Sequence, residues 1–140
     1  MRKLSFLVLI FLSVNVFSQG KTDSLLNLLE SVTDTARVIV LKELCWETRY
    51  SHPSDALEYG LQALSLARQF EVYIEAAEIL NFLGVIHRNV GDHATALEYF
   101  FSAQRVAEEY NIDRSLAYTF NNIGDIYNLE KNYAQALEYE

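Results

Sequence analysis

Residues 80–103 read Leu-Asn-Phe-Leu-Gly-Val-Ile-His-Arg-Asn-Val-Gly-Asp-His-Ala-Thr-Ala-Leu-Glu-Tyr-Phe-Phe-Ser-Ala. Two small residues, Gly84 and Ala96, flank the turn signal Gly91-Asp92. Small residues remove side-chain bulk where two antiparallel helices cross, and Leu80, Leu83 and Phe100 fill the space on either side. Gly-Asp is a tight-turn dipeptide. The stretch therefore reads as a helical hairpin, with Gly84 expected to face Ala96 at the crossing. The word Ala96-Leu97-Glu98-Tyr99 also occurs at residues 56–59 and 136–139, so its three copies are evenly spaced. A fixed interval of this length, about 40 residues, is the signature of a repeat architecture, in which one supersecondary unit is copied along the chain.

The copies align residue by residue. The third carries Phe120, Ile123, Gly124 and Tyr127, then Lys131-Asn132 and Ala136. The first is more worn, with Leu41 and Leu44 followed by Cys45 in the small-residue position and a turn one residue shorter. This pattern resembles the tetratricopeptide repeat, whose first helix reads W-x2-L-G-x2-Y and whose second reads A-x3-F. The resemblance covers roughly residues 35–140. It implies an all-α, right-handed helix-turn-helix solenoid of about two and a half such repeats, at 35–73, 74–113 and an incomplete 114–140. A single proline, five glycines and a wealth of Leu, Ala and Glu agree with helix throughout. The interval exceeds the usual one by about six residues. The excess falls at Glu108–Arg114, where Asn111 is expected to stop one helix and Asp113 to cap the next. Long-interval repeats of this kind resemble those of bacterial signalling proteins and kinesin light chains.

The two ends read differently from the middle. Arg2 and Lys3 precede an apolar run from Leu4 to Phe17, with Val16 and Ser18 placed as a small-residue cleavage site. That is the pattern of a secretory signal peptide over residues 1–18, and the run is short for a membrane span; an uncleaved anchor is the rival. Export through the inner membrane to the periplasm or cell envelope follows. Cleavage would leave 122 residues, in which 9 basic side chains face 19 acidic ones, a net charge of −10. So acidic a chain is not expected to bind nucleic acid, and its tie to a membrane would lie in the signal peptide or in an unseen downstream span. A single cysteine, Cys45, allows no internal disulfide. Residues 22–33 form an expected amphipathic capping helix over the first hairpin. The other end stops inside a helix, with Glu140 in the position Phe100 holds one copy earlier. A solenoid needs a polar cap there. The expectation is a longer parent protein, or self-association through the open C-terminal end.

Catalytic signatures are missing from the sequence. His52, His87 and His93 lack metal-ligand spacing, and no phosphate-binding or nucleophile-elbow motif occurs. His87 and Cys45 read as packing residues, and no enzymatic activity, cofactor or metal is expected of this chain. What remains is the groove. In the family that these repeats resemble, the first helix of each pair lines a concave surface. Matching positions puts Glu78, Asn81, Phe82, Val85, Arg88 and Asn89 there in the second copy, and Tyr118, Asn121, Asn122, Asp125 and Asn128 in the third. The peptide-contacting set is expected to be Asn81, Val85, Arg88, Asn121, Asn122, Asp125 and Asn128. Asparagine offers donors and acceptors to an extended backbone, and Arg88 can pair with a carboxylate. The same asparagines could instead satisfy neighbouring helices or face water. The lysine clamp of chaperone-binding relatives is missing. The resemblance implies a protein- or peptide-binding scaffold or sensory module in the cell envelope. The alternative is the N-terminal sensor of a longer signalling protein, whose output would be a histidine kinase, nucleotide cyclase or DNA-binding regulator.

Overall fold

The computed structural model describes residues 20–139, so the expected signal peptide and Glu140 lie outside the described residues. The described residues are helical with short connections. Helix α1 covers residues 20–29, so it already includes Gly20 and ends before the capping segment expected at 22–33 does. It is followed by α2 (Asp34–Thr48), α3 (Pro53–Gln69), α4 (Tyr73–Asn89), α5 (His93–Glu109), α6 (Asp113–Leu129) and the short α7 (Tyr133–Ala136). Helices α2/α3, α4/α5 and α6/α7 form three successive hairpins. The first helices of the hairpins, α2, α4 and α6, touch one another in sequence, whereas the backbones of α3 and α5 do not approach. The array is thus closed along its α2–α4–α6 side and splayed along the other, which makes the first helices the inner layer of a tetratricopeptide-like solenoid.

From α3 onward the helix starts are evenly spaced, at Pro53, Tyr73, His93, Asp113 and Tyr133, and α3 to α6 are 17 residues each. Their connections share one geometry. After α3, Val72 N–H donates to Ala67 O at 3.0 Å and Glu71 N–H to Arg68 O at 3.3 Å. The same pair of bonds recurs after α4, α5 and α6, and each turn has one left-handed residue: Glu71 (φ 56°), Gly91 (83°), Asn111 (55°) and Lys131 (59°). This is the Schellman ending, which satisfies the last carbonyls of the helix with the chain that leaves it. Asn111 therefore stops α5 as its sequence position suggested. Asp113 does not cap α6; it is the first helical residue, Ile112 holds the cap position, and no side chain caps the helix.

Hairpin packing is set by small residues, though not with the partners expected at every position. A Cβ placed on Gly84 would come within 2.5 Å of Phe100 Cε1, so the residue facing Gly84 is the Phe100 ring rather than Ala96. Gly124 does face Ala136, with Ala136 O 3.7 Å from the built Cβ. Gly60 supplies a third close crossing, where an added Cβ would come 2.6 Å from Leu83 Cδ2 and 3.0 Å from Cys45 Sγ. Phe100 is fully buried and packs with Val85, Ala96, Ile123 and Ile126 between the second and third hairpins. Leu41, Ala63, Ile79, Leu83 and Ala103 fill the equivalent core one hairpin earlier.

Candidate functional site

Six contacts knit the inner helices together. Between α2 and α4, Lys42 Nζ pairs with Glu78 and the Trp46 ring lies 4.5 Å from the Phe82 ring. Between α4 and α6, Asn81 is 1% exposed, and its amide nitrogen donates to Ala77 O and Ser115 Oγ at 3.2 Å each. Thr119 Oγ1 shares its proton between Asn81 Oδ1, at 3.0 Å, and Ser115 O, at 2.8 Å. Nearer the far end of α4, Arg88 Nη1 donates to Asn122 Oδ1 at 2.9 Å and to Asp125 Oδ2 at 3.0 Å. Asn122 donates in turn to Tyr118 O. A buried amide is costly unless every polar atom has a partner, and here Asn81 has them.

The expected groove residues divide accordingly. Asn81 and Asn122 are buried between α4 and α6 and already bonded, so they tie helices together. Val85 is 2% exposed and belongs to the core around Phe100. Arg88 is committed to Asn122 and Asp125, although part of its side chain remains accessible. Asn121, Asp125 and Asn128 are exposed on α6. Asn81 and Asn121 occupy matching repeat positions yet differ, because α6 covers α4 and no described helix covers the same side of α6.

What the inner layer does offer is a slot of about 230 Å³ that crosses all three helices. Trp46, Phe82 and Tyr118 form its apolar walls; Glu78 and Arg114 stand at its sides; Asn81 and Ser115 lie at its floor. Trp46, Arg114 and Ser115 escape motif reading because each copy has a different residue there. Trp46 aligns with Val85 and then Asp125, so only the adjacency of α2 and α4 assembles the aromatic wall. Such a mixture of apolar walls and a few placed polar groups is the composition of a binding cleft.

Elsewhere the chemistry is quiet. Cys45 is fully buried against Ala56 and Ile86, and burial pushes its thiol up to about 12, far from the thiolate that nucleophilic work requires. His87 is partly buried, stacks 5.4 Å from Tyr99 and sits 3.3 Å from Asp92 Oδ2. His93 Nδ1 lies 3.4 Å from Glu130. Among the described residues no group of three or more His, Cys, Asp or Glu side chains could hold a metal ion. No described helix is long and apolar enough to cross a membrane.

Residues 75–140 match the family described as tetratricopeptide repeat, a match that takes in α4 to α7. No curated protein matches the chain.

Proposed function

With tetratricopeptide repeats over residues 75–140 as the premise, we propose that the chain is a protein- or peptide-binding scaffold of the cell envelope, and that its ligand lies along the inner helices. Repeats of this family generally mediate protein–protein interaction. The slot between Trp46, Phe82 and Tyr118 is the observation that carries the reading, since it offers aromatic surface on the inner side while the buried asparagines are spent on packing. The envelope is supported by the basic, then apolar, then small-residue pattern of residues 1–18.

A photo-crosslinking amino acid at Tyr118, compared with one at Ser102 on the outer helix α5, tests the ligand path. Crosslinked partners from position 118 and none from 102 are expected. The reverse would remove the inner face from consideration. Cell fractionation with N-terminal sequencing tests the compartment, with a start at Gln19 expected in the envelope fraction. The long repeat interval, which resembles that of arrays in bacterial signalling proteins, favours a second reading as the sensor part of a longer chain; the mass of the native product decides it.

A further inference from the structure

Oxidation chemistry in this chain falls mainly to its aromatic side chains. The one cysteine, Cys45, is fully buried, and the one methionine, Met1, lies in the expected signal peptide, whereas tyrosine occurs nine times. Two of the tyrosines are held against each other. The Tyr73 and Tyr110 rings stack with centroids 3.7 Å apart and planes 9° from parallel. Aromatic pairs ordinarily sit offset or edge-on, with centroids about 4.5–7 Å apart. At 3.7 Å the two rings overlap face to face. Their hydroxyls lie at the same end of the stack, since hydrogen bonding to Tyr73 is the first cause that raises the Tyr110 phenol above its ordinary value. That overlap brings together the ring carbons ortho to the two hydroxyls. Tyr110 is exposed and Tyr73 half-buried, so small reagents reach the pair. Both backbones are fixed. Tyr73 opens α4 directly after the turn in which Val72 N–H donates to Ala67 O, and Tyr110 closes α5 with its N–H donating to Val106 O at 3.1 Å. The repeat itself does not ask for such a pair. Asp113 stands where Tyr73 does one copy later, and Phe70 where Tyr110 does one copy earlier.

We propose that Tyr73 and Tyr110 form an oxidative cross-linking site, at which a haem peroxidase using hydrogen peroxide joins the two rings as a dityrosine and locks the second hairpin shut. Each phenol gives up one electron and one proton and becomes a phenoxyl radical, whose spin resides partly on its ortho carbons. The two radicals form one carbon–carbon bond between those carbons. Each bonded carbon then loses its hydrogen as a proton while its own oxygen gains one, which restores two phenols. In sum the protein loses two hydrogen atoms, and one hydrogen peroxide becomes two waters. Groups held at contact react far faster than groups that must meet by diffusion. Among the described residues the other tyrosine pair in ring contact, Tyr127 and Tyr139, has centroids 5.9 Å apart and planes tilted by 31°, and is not expected to couple. The new bond closes the chain from the start of α4 to the end of α5, at the open end of their hairpin. Export, as proposed above, would take the pair out of the reducing cytosol, but the chemistry rests on the stack alone.

The full chain is treated with a haem peroxidase and hydrogen peroxide at two protein concentrations. Monomer and dimer are separated, and each is read by dityrosine fluorescence, intact mass and mass spectrometry of its proteolytic peptides. The variants Tyr73→Phe and Tyr110→Phe keep a ring in the stack and remove one phenol. Tyr139→Phe is the control, and circular dichroism confirms that each variant is helical. The expected product is a fluorescent monomer, lighter by two hydrogen atoms, in which the peptide with Tyr73 is joined to the peptide with Tyr110. Its yield should not depend on protein concentration. It should fall to background in Tyr73→Phe and in Tyr110→Phe and be unchanged in Tyr139→Phe. Because the bond restricts the unfolded chain, the cross-linked monomer should melt about 5 °C or more above the untreated one. Dityrosine confined to dimers, a monomer joined through other tyrosines, or a product that survives in Tyr110→Phe overturns the site. So does the absence of any dityrosine. A cross-link between Tyr73 and Tyr110 that leaves the melting temperature unchanged overturns the lock.

Discussion

Gly84 and Gly124 hold the same position in successive repeats, yet their surroundings call for opposite outcomes. A methyl group at Gly84 would meet three atoms of the Phe100 ring within 2.9 Å, in a core where that ring is fully buried. The ring has no room to retreat, so Gly84→Ala is expected to destabilise by about 1–3 kcal/mol through overpacking. A methyl group at Gly124 meets ordinary contact distances of 3.7 and 3.8 Å. There the helix propensity of alanine dominates, and Gly124→Ala is expected to stabilise by up to about 1 kcal/mol. Urea midpoints of the two variants check both signs. The small-residue positions were legible in the sequence as close crossings, but their partners were not. Motif alignment gave Ala96 for Gly84, whereas the aromatic ring one turn further along reaches it. The asparagines show the same limit. Asn81 and Asn121 are identical in the sequence pattern, and whether a helix lies beside them depends on the stacking of hairpins, which no single repeat encodes.

At the scale of the helices, the existence and order of elements were legible because periodicity, turn dipeptides and composition agreed. Boundaries shifted where the cap chemistry is weak. Ile112 rather than Asp113 precedes α6, and of α2 to α7 only α5 has a side-chain cap. That cap is Asp92, whose carboxylate accepts from Thr95 N–H at 3.2 Å. Hydrogen bonding to Thr95, with a smaller contribution from His87, holds this carboxyl below its ordinary value. The folded state therefore binds the proton less readily than the unfolded state. The stability this contributes is complete above the ordinary carboxylate range, near pH 4, and is lost as pH falls through the lower folded value. Asp92→Ala is expected to melt at a lower temperature than the parent at neutral pH, with the gap closing as pH falls through the lowered value of the Asp92 carboxyl. A gap that persists in acid would mean that the cap acts through something other than its charge.

The molecule as a whole is held by neighbour-to-neighbour packing, as a solenoid must be. Helix α4 lies at its centre, touching α2, α3, α5 and α6, while α1 and the short α7 lie at the two ends of the described array. Amide hydrogen exchange is expected to follow that order, slowest in α4 and fastest in α1 and α7. Uniform protection along the array would indicate one cooperative unit instead. The regular recurrence of Ala-Leu-Glu-Tyr made the architecture legible from the outset. The slot was legible in part: matching positions gave Glu78, Asn81, Phe82 and Tyr118, but Trp46, Arg114 and Ser115 join them only after the hairpins stack.

The shared turn geometry has a consequence for how such a chain can lengthen or shorten. From α3 onward the joint within a hairpin and between hairpins is the same, a three-residue turn with one left-handed residue, and helix starts recur at one constant interval from Pro53 to Tyr133. A loss or gain of one helix and one joint in the gene would leave every other joint chemically intact. It would nevertheless exchange the roles of all helices beyond it, sending lining residues outward and bringing outer surface to the inside. Only the loss or gain of a whole hairpin keeps the lining where it is. The three copies of Ala-Leu-Glu-Tyr record that constraint: the joints tolerate half-steps, and the inner surface does not.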